Sequence, residues 1–376
     1  MMPPSKVKVR EVTPMSEPRT PEMEAIPRGG APGYLRIATE EAFASSGLFE
    51  LYRKLLASRT LDDPGFASLW GFYLGSKSPR ATAIIERIQD LGERRLGDME
   101  KTGIDMQILS LTSPGVQVFD AATAGAVARD ANDQLAAAVA SHPDRYAGLA
   151  AAAPQDPAGA AKEIERGVRR LGLRGVILNS HTHSEYLDDQ KFWPIFEACE
   201  ALGVPVYLHP NTPSKAMIAP FVEAGLDGAI YGFGVETGLH LLRIIVGGVF
   251  DRFPGLRIIV GHCGEALPFW LFRLDYMHRA TIASGRYPFM KPLQRRPSDY
   301  LRENVYVTNS GVAWEPAIMF CRSVLGADRV MYAMDYPYQF VRDEVLVSDS
   351  LPLTLAEKKE YFQENAERVF GLAPRG

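Results

Sequence analysis

A parallel (β/α)8 barrel of the TIM type, with long loops after its first and fifth strands, is the fold class this sequence predicts. Eight short apolar runs recur along the 376 residues, separated by longer stretches of helical period. Several of the runs stop on a residue that can bind a metal or move a proton: IAT on Glu40, VPVYLH on His209, LRIIVGH on His262 and RVMYAMD on Asp335. A parallel barrel gathers sequence-distant strand ends at one mouth, where such enzymes do their chemistry. The length suits it, because a barrel of this kind takes about 250 residues plus insertions.

In chain order, the predicted strands are Leu35 to Thr39, Asp105 to Leu111, Tyr146 to Ala152, Gly175 to Asn179, Pro205 to His209, Leu256 to Gly261, Val305 to Asn309 and Val330 to Met334. Apolar residues at helical spacing predict helices over Thr82 to Lys101, Ala122 to Ser141, Pro157 to Leu171, Asp188 to Leu202, Glu236 to Phe250 and Leu353 to Phe370. Two connections exceed ordinary loops. Ala44 to Arg80, after strand one, carries Phe66, Trp70, Phe72 and Tyr73; Pro210 to Gly234, after strand five, is rich in Gly, Pro and Ala. Insertions at strand C-termini wall the mouth, and aromatic side chains there suit a flat, apolar substrate. A satellite core beneath a loop would use the same aromatics, so both readings stand at this point.

Residues 1–33 contain seven of the 27 prolines, with mixed charges and no apolar signal segment. They read as a flexible Pro-rich arm that lies on a neighbouring subunit, leaving 34–376 as a single catalytic domain. Acidic and basic residues nearly balance, 45 against 41, and are mixed along the chain. There is accordingly no basic stripe for nucleic acid and no polybasic membrane anchor. No run approaches the roughly 20 apolar residues of a membrane span. Cys199, Cys263 and Cys321 are widely spaced, which makes neither a disulfide framework nor a thiolate metal site and fits the reducing cytoplasm. Small-molecule chemistry is what remains.

Glu40 and Glu41 follow strand one, and a carboxylate facing a barrel mouth is costly unless a cation or a donor meets it. Alone, the dipeptide reads as a surface pair, and a lone strand-end His209 reads as a hydrogen-bonded core residue. Asp335 changes the balance, since the last strand of a closed barrel lies beside the first. Glu40, His209 and Asp335 supply one nitrogen and two oxygen ligands with positions left open, a set suited to Mn²⁺ or Zn²⁺. His262 and Glu265 lie three apart at a strand-to-helix junction, so Glu265 can orient His262, or simply favour the positive end of the helix. In NSHTHSEY, His181 is expected to face the mouth and His183 to sit in a loop. Arg80 and Arg273 could each neutralise a substrate carboxylate, for which a guanidinium is well shaped. Arg273 could equally pair with Asp275.

The stretches SLWGFY, LTSPGVQ, AAPQDP, GLDGAIYGFGVETGLHLLRI, VGHCGEALPFWLFRLDYMH, VTNSGVAWEPAI and RVMYAMDYPYQF, in this order, make the chain resemble the metal-dependent decarboxylase branch of the amidohydrolase superfamily. The resemblance implies that Glu40, His209 and Asp335 hold one divalent ion, with Mn²⁺ favoured over Zn²⁺. It implies that His262 and Glu265 are the active-site pair after strand six, and that Arg80, Arg273 and Tyr338 line the substrate pocket. Many superfamily members carry an HxH on strand one; here those positions are Glu40 and Ala42. The second ligand is missing, which argues against a binuclear hydrolase. The implied reaction is non-oxidative decarboxylation of an ortho-hydroxybenzoate, with Asp335 as proton donor and a homodimer or homotetramer as the assembly. The alternative is a hydrolase or hydratase that keeps a nucleophilic water on the ion.

Overall fold

In a computed structural model, which describes Ile26, residues 33–58 and residues 61–374, eight parallel strands close on themselves. The strands are β1 (Ile37–Phe43), β2 (Met106–Leu111), β3 (Tyr146–Gly148, resumed after Leu149 as Ala150–Ala151), β4 (Val176–Asn179), β5 (Val206–His209), β6 (Ile258–Val260), β7 (Val305–Thr308) and β8 (Val330–Met331). Each pairs in parallel with the next. The seam between β8 and β1 is closed by the Thr39 N–H donating to Tyr332 O (3.2 Å) and the Ala42 N–H to Tyr336 O (2.7 Å). Strand residues are buried except the half-buried His209 at the end of β5, with helices outside and side chains filling the centre, as a parallel sheet buried on both faces requires.

All eight expected strands are present, and the largest difference is at β1. The expected strand ends at Thr39, whereas β1 runs on through Glu40 and Glu41 to Phe43. Its register against β2 slips, with Ala38 opposite Gln107 but Glu41 opposite Leu109, so three steps of β1 match two of β2. An extra residue of this kind is a bulge, which bends a strand and re-aims its side chains. Polar residues inside a strand hid this continuation from a hydrophobic pattern.

Several helices are more broken than their periodicity suggests. Thr82 to Lys101 is two helices, Pro79–Ile88 and Glu93–Thr102, parted near Gly92. Glu236 to Phe250 divides into Gly232–Val246 and Val249–Arg252 around the Gly247-Gly248 pair. The insertion after β1 is folded, with helices Leu48–Ala57 and Pro64–Gly75, the second capped by the Asp63 carboxylate on the Phe66 N–H (2.8 Å). Both readings of its aromatics hold, for different residues. Phe66 and Trp70 are buried with Tyr52 at ring separations of 5.1 and 5.0 Å, a satellite core, while Tyr73 stands 5.7 Å from Tyr338 toward the mouth. Most of the proposed N-terminal arm lies outside the described residues. Ile26, which is described, is buried and donates its N–H to Lys101 O (3.4 Å).

Candidate active site

The C-terminal ends of β1, β5, β6, β7 and β8 bring Glu40, His209, His262, Thr308 and Asp335 to one mouth. Glu40 Oε1 lies 3.4 Å from His209 Nε2 and 3.8 Å from His262 Nε2. Its other oxygen, Oε2, accepts from the Tyr207 hydroxyl and from Thr308 Oγ1 (3.2 Å). Gly261 allows this crowding, because a Cβ there would lie 2.4 Å from Glu40 Oε2. Tyr207 and Thr308 escaped the sequence reading. Tyr207 was legible in principle, since it stands two residues before His209 on the same strand and so faces the same side.

Glu40 Oε1 is buried and receives no hydrogen bond. The His209 Nδ1–H is spent on Pro210 O (2.9 Å), so Nε2 presents a lone pair toward that bare oxygen. Burial holds the His209 imidazole below its usual range despite the nearby Glu40 carboxylate, which keeps it neutral. Two acceptors facing one another in a buried site are unsatisfied as they stand, and a cation between them would satisfy both. The donor set therefore fits a divalent ion. Among the described residues, no three His, Cys, Asp or Glu side chains are gathered into a ligand shell as they stand. Glu40 and His209 form the close pair, and Asp335 lies near enough to feel the Glu40 carboxylate as a like charge.

Asp335 adopts φ +70°, a left-handed conformation unusual for a residue with a side chain. Burial and the Glu40 carboxylate push its acid up to about 8, against the opposing pull of His262. His262 and Glu265 do meet, with Nδ1 to Oε1 at 2.7 Å, though not on the regular helical turn expected of them. Residues 262–266 all have positive φ and form one left-handed turn before the helix Leu267–Ser284 begins. Burial opposes charge on His262, but the Glu265 and Glu40 carboxylates outweigh it and lift the imidazole to about 10.

The remaining candidates divide. Tyr338, three residues past Asp335, shares a 2.6 Å hydrogen bond with Thr112 Oγ1, and its carbonyl accepts from Arg80 Nη2 (2.8 Å), so both stand at the rim beside Tyr73. His181 turns instead to the loops, with Nε2 on Thr212 O (3.0 Å) and Nδ1 accepting the Ser184 N–H (3.3 Å). Both its ring nitrogens are committed to backbone. His183 sits in the loop, on Phe119 O (3.0 Å). Arg273 lies exposed on the helix Leu267–Ser284, without a hydrogen bond or ion pair among the described residues; Asp275, its alternative partner, instead accepts from Ser298.

The amidohydrolase family model matches residues 85–372. The chain belongs to that family. Among solved structures, this amidohydrolase is 56% identical to 5-carboxyvanillate decarboxylase of Novosphingobium aromaticivorans, with a TM-score of 0.91 over 92% of this chain and all of that one; that enzyme was solved with manganese and 3-methoxy-4-hydroxy-5-nitrobenzoic acid. It is 42% identical to 5-carboxyvanillate decarboxylase of Sphingomonas paucimobilis, with a TM-score of 0.85 over 90% of this chain and 99% of the other. The γ-resorcylate decarboxylase of Polaromonas sp. is 37% identical over 76% of this chain and 89% of its own.

Proposed function

We propose that this amidohydrolase decarboxylates 5-carboxyvanillate to vanillate and CO₂ without an oxidant, using one divalent ion, manganese in preference to zinc. The observation that carries the reading is the bare, buried Glu40 Oε1 facing the His209 lone pair, at the mouth of a barrel 56% identical to an enzyme of that activity. Glu40, His209 and Asp335 would hold the ion. When bound, it supplies a Lewis acid that orients and polarises the oxygens of an ortho-hydroxybenzoate.

The chain's own residues then handle the proton and the charge. Asp335, whose acid is raised by burial and the Glu40 carboxylate when no ion is bound, donates to the ring carbon that bears the carboxylate, a step that requires it to loosen its hold on the ion. That carbon becomes tetrahedral, its bond to the carboxylate breaks, and the electron pair returns to the ring as CO₂ leaves. His262, held by Glu265, faces the phenolic oxygen and balances the negative charge that develops there. Arg80 and Tyr338 bind the substrate from the rim.

A homodimer or homotetramer completes the reading. The helix Leu267–Ser284 presents Phe269 (75% exposed), Trp270, Phe272 (83%) and Tyr276 around Arg273, a band suited to a second copy. Arg273 would reach substrate across that interface. Three free cysteines suit the cytoplasm.

Turnover of 5-carboxyvanillate in D₂O by manganese-loaded protein tests the reading. The vanillate formed should carry deuterium on the carbon that lost CO₂, a label that hydration or hydrolysis does not produce. Turnover of 2,6-dihydroxybenzoate alone would move the substrate to that acid.

A further inference from the structure

Glu41 stands next to the proposed metal ligand Glu40 yet points the other way. Its Oε1 accepts the Met334 N–H at 2.9 Å and its Oε2 the Tyr336 N–H at 3.2 Å. These amides flank Asp335 on either side, so one carboxylate straddles the residue held at φ +70°. Left-handed backbone on such a residue costs of order 1–3 kcal/mol and persists only where its surroundings over-determine it. Glu41 is a large part of what does so here. The Asp335 carbonyl is fixed as well, accepting the Gln339 N–H (2.8 Å).

Glu41 is itself held from below. Gln107 Nε2 approaches its Oε2 at 3.4 Å, and the Gln107 Oε1 accepts from Arg95 Nη1 (3.1 Å). Arg95, also buried, donates Nη2 to Ala42 O (2.7 Å) and lies 4.6 Å from the centre of the Tyr336 ring. The chain Arg95, Gln107, Glu41 therefore runs from the β2 side of β1 up to the seam where β8 closes on β1, and the Glu41 carboxylate crosses it. At that seam the backbone contributes the two bonds to Tyr332 O and Tyr336 O, and the Glu41 side chain serves as two further rungs.

We infer that Glu41 is a positioning residue for the reaction: through the amides of Met334 and Tyr336 it fixes where the Asp335 carboxylate stands relative to Glu40. The inference rests on the decarboxylase reading for its effect on rate, and on geometry alone for its effect on Asp335. Both ends of the device are short. Glu40 and Glu41 are consecutive, as are Met334, Asp335 and Tyr336, so the two carboxylates proposed for ion and proton are tied across the seam by one side chain.

The test compares the parent with Glu41→Gln and Glu41→Asp. An amide cannot accept both N–H groups, because its NH₂ end meets one of them donor to donor. At saturating manganese, Glu41→Gln should lower kcat by about tenfold to a hundredfold, the size of effect that a displaced catalytic group produces. KM should move by less than about threefold, and far-ultraviolet circular dichroism should match the parent. Glu41→Asp, which keeps a carboxylate on a shorter stem, should recover part of the loss. A folded Glu41→Gln with kcat within about twofold of the parent overturns the inference. Amide hydrogen exchange on the unsubstituted protein gives a readout independent of activity: the Met334 and Tyr336 amides should be strongly protected, and exchange at open-loop rates would overturn the inference even if Glu41→Gln did not fold. Failure of the decarboxylase reading would appear differently, as an inactive parent with those amides still protected.

Discussion

His209 and Glu40 face one another across 3.4 Å, an imidazole lone pair against a carboxylate oxygen that no hydrogen-bond donor reaches. This arrangement makes the protein without metal pay for a site that the ion would satisfy, and it gives substitutions there opposite effects in the two states.

Glu40→Gln should stabilise the metal-free protein while removing the ion. The new NH₂ can donate to His209 Nε2, a hydrogen bond worth about 1 kcal/mol, and Oε can still accept from Tyr207 and Thr308. Thermal unfolding with and without manganese checks this: the metal-free midpoint should rise by about 1–2 degrees, and the further rise on adding manganese should vanish. A variant that still gains stability from manganese like the parent would remove Glu40 from the ligand set.

Asp335→Asn should abolish turnover and leave the fold intact. Asparagine accepts left-handed backbone more readily than most residues, so the strain at φ +70° does not grow. Loss of a general acid costs about 10²–10⁴ in rate. Single-turnover measurement at saturating substrate checks it, and near-parental kcat would take Asp335 out of the proton path.

Arg273→Met should raise KM for 5-carboxyvanillate by about tenfold, the value of a lost charge-assisted hydrogen bond. Inhibition by 4-hydroxy-3-methoxy-5-nitrobenzoate should weaken in step, whereas inhibition by the analogue lacking the carboxylate should not. Equal changes for both would assign Arg273 to structure. Because Arg273 is exposed on a surface of aromatic side chains, parent activity should also fall on dilution below the range in which sedimentation detects oligomers.

His240 should make the fold acid-sensitive. It is buried, with Nδ1 3.1 Å from Ser180 Oγ and Nε2 accepting the Leu187 N–H (2.9 Å), and burial lowers its pKa to about 3. The unfolded chain takes up that proton near 6.5 and the folded chain only near 3, so the contribution is complete above 6.5 and is lost as pH falls through this window. The loss amounts to several kcal/mol at most. Urea unfolding from pH 7 to 4 should show a falling midpoint, with a shallower decline in His240→Gln. Parallel declines would place the sensitivity elsewhere.

Much of the barrel was legible because buried parallel strands are near-continuous apolar runs, and the residues that end them are conspicuous by contrast. His209, His262 and Asp335 could be named on that ground, Glu40 as the end of an apolar run and Glu265 by its spacing from His262, and the structure brings them to one mouth. What stayed hidden depended on backbone geometry. The continuation of β1 through two glutamates has no apolar signature, and the left-handed turn at 262–266 uses residues that carry no turn signal apart from Gly264. His181 looked available because its sequence neighbours are polar, yet it is occupied by carbonyl and amide groups from two loops. Tyr207 and Thr308 were masked by the strands that carry them, where a hydroxyl reads as one more β-forming residue. Arg273, expected to line the substrate pocket, instead lies exposed on its helix with no ion pair among the described residues.

The bulge in β1 has a consequence for how this barrel tolerates change. Glu40 and Glu41 are chemically identical neighbours with opposite destinations, and nothing distinguishes them except their place in the count from Ala38. A deletion of one residue in that short span would preserve the composition of the mouth and still send each carboxylate to the other's address, since side chains along a strand change face with every step. Exchanges of one residue for another around the mouth alter the chemistry by degrees. Here, the number of residues matters as much as their kind.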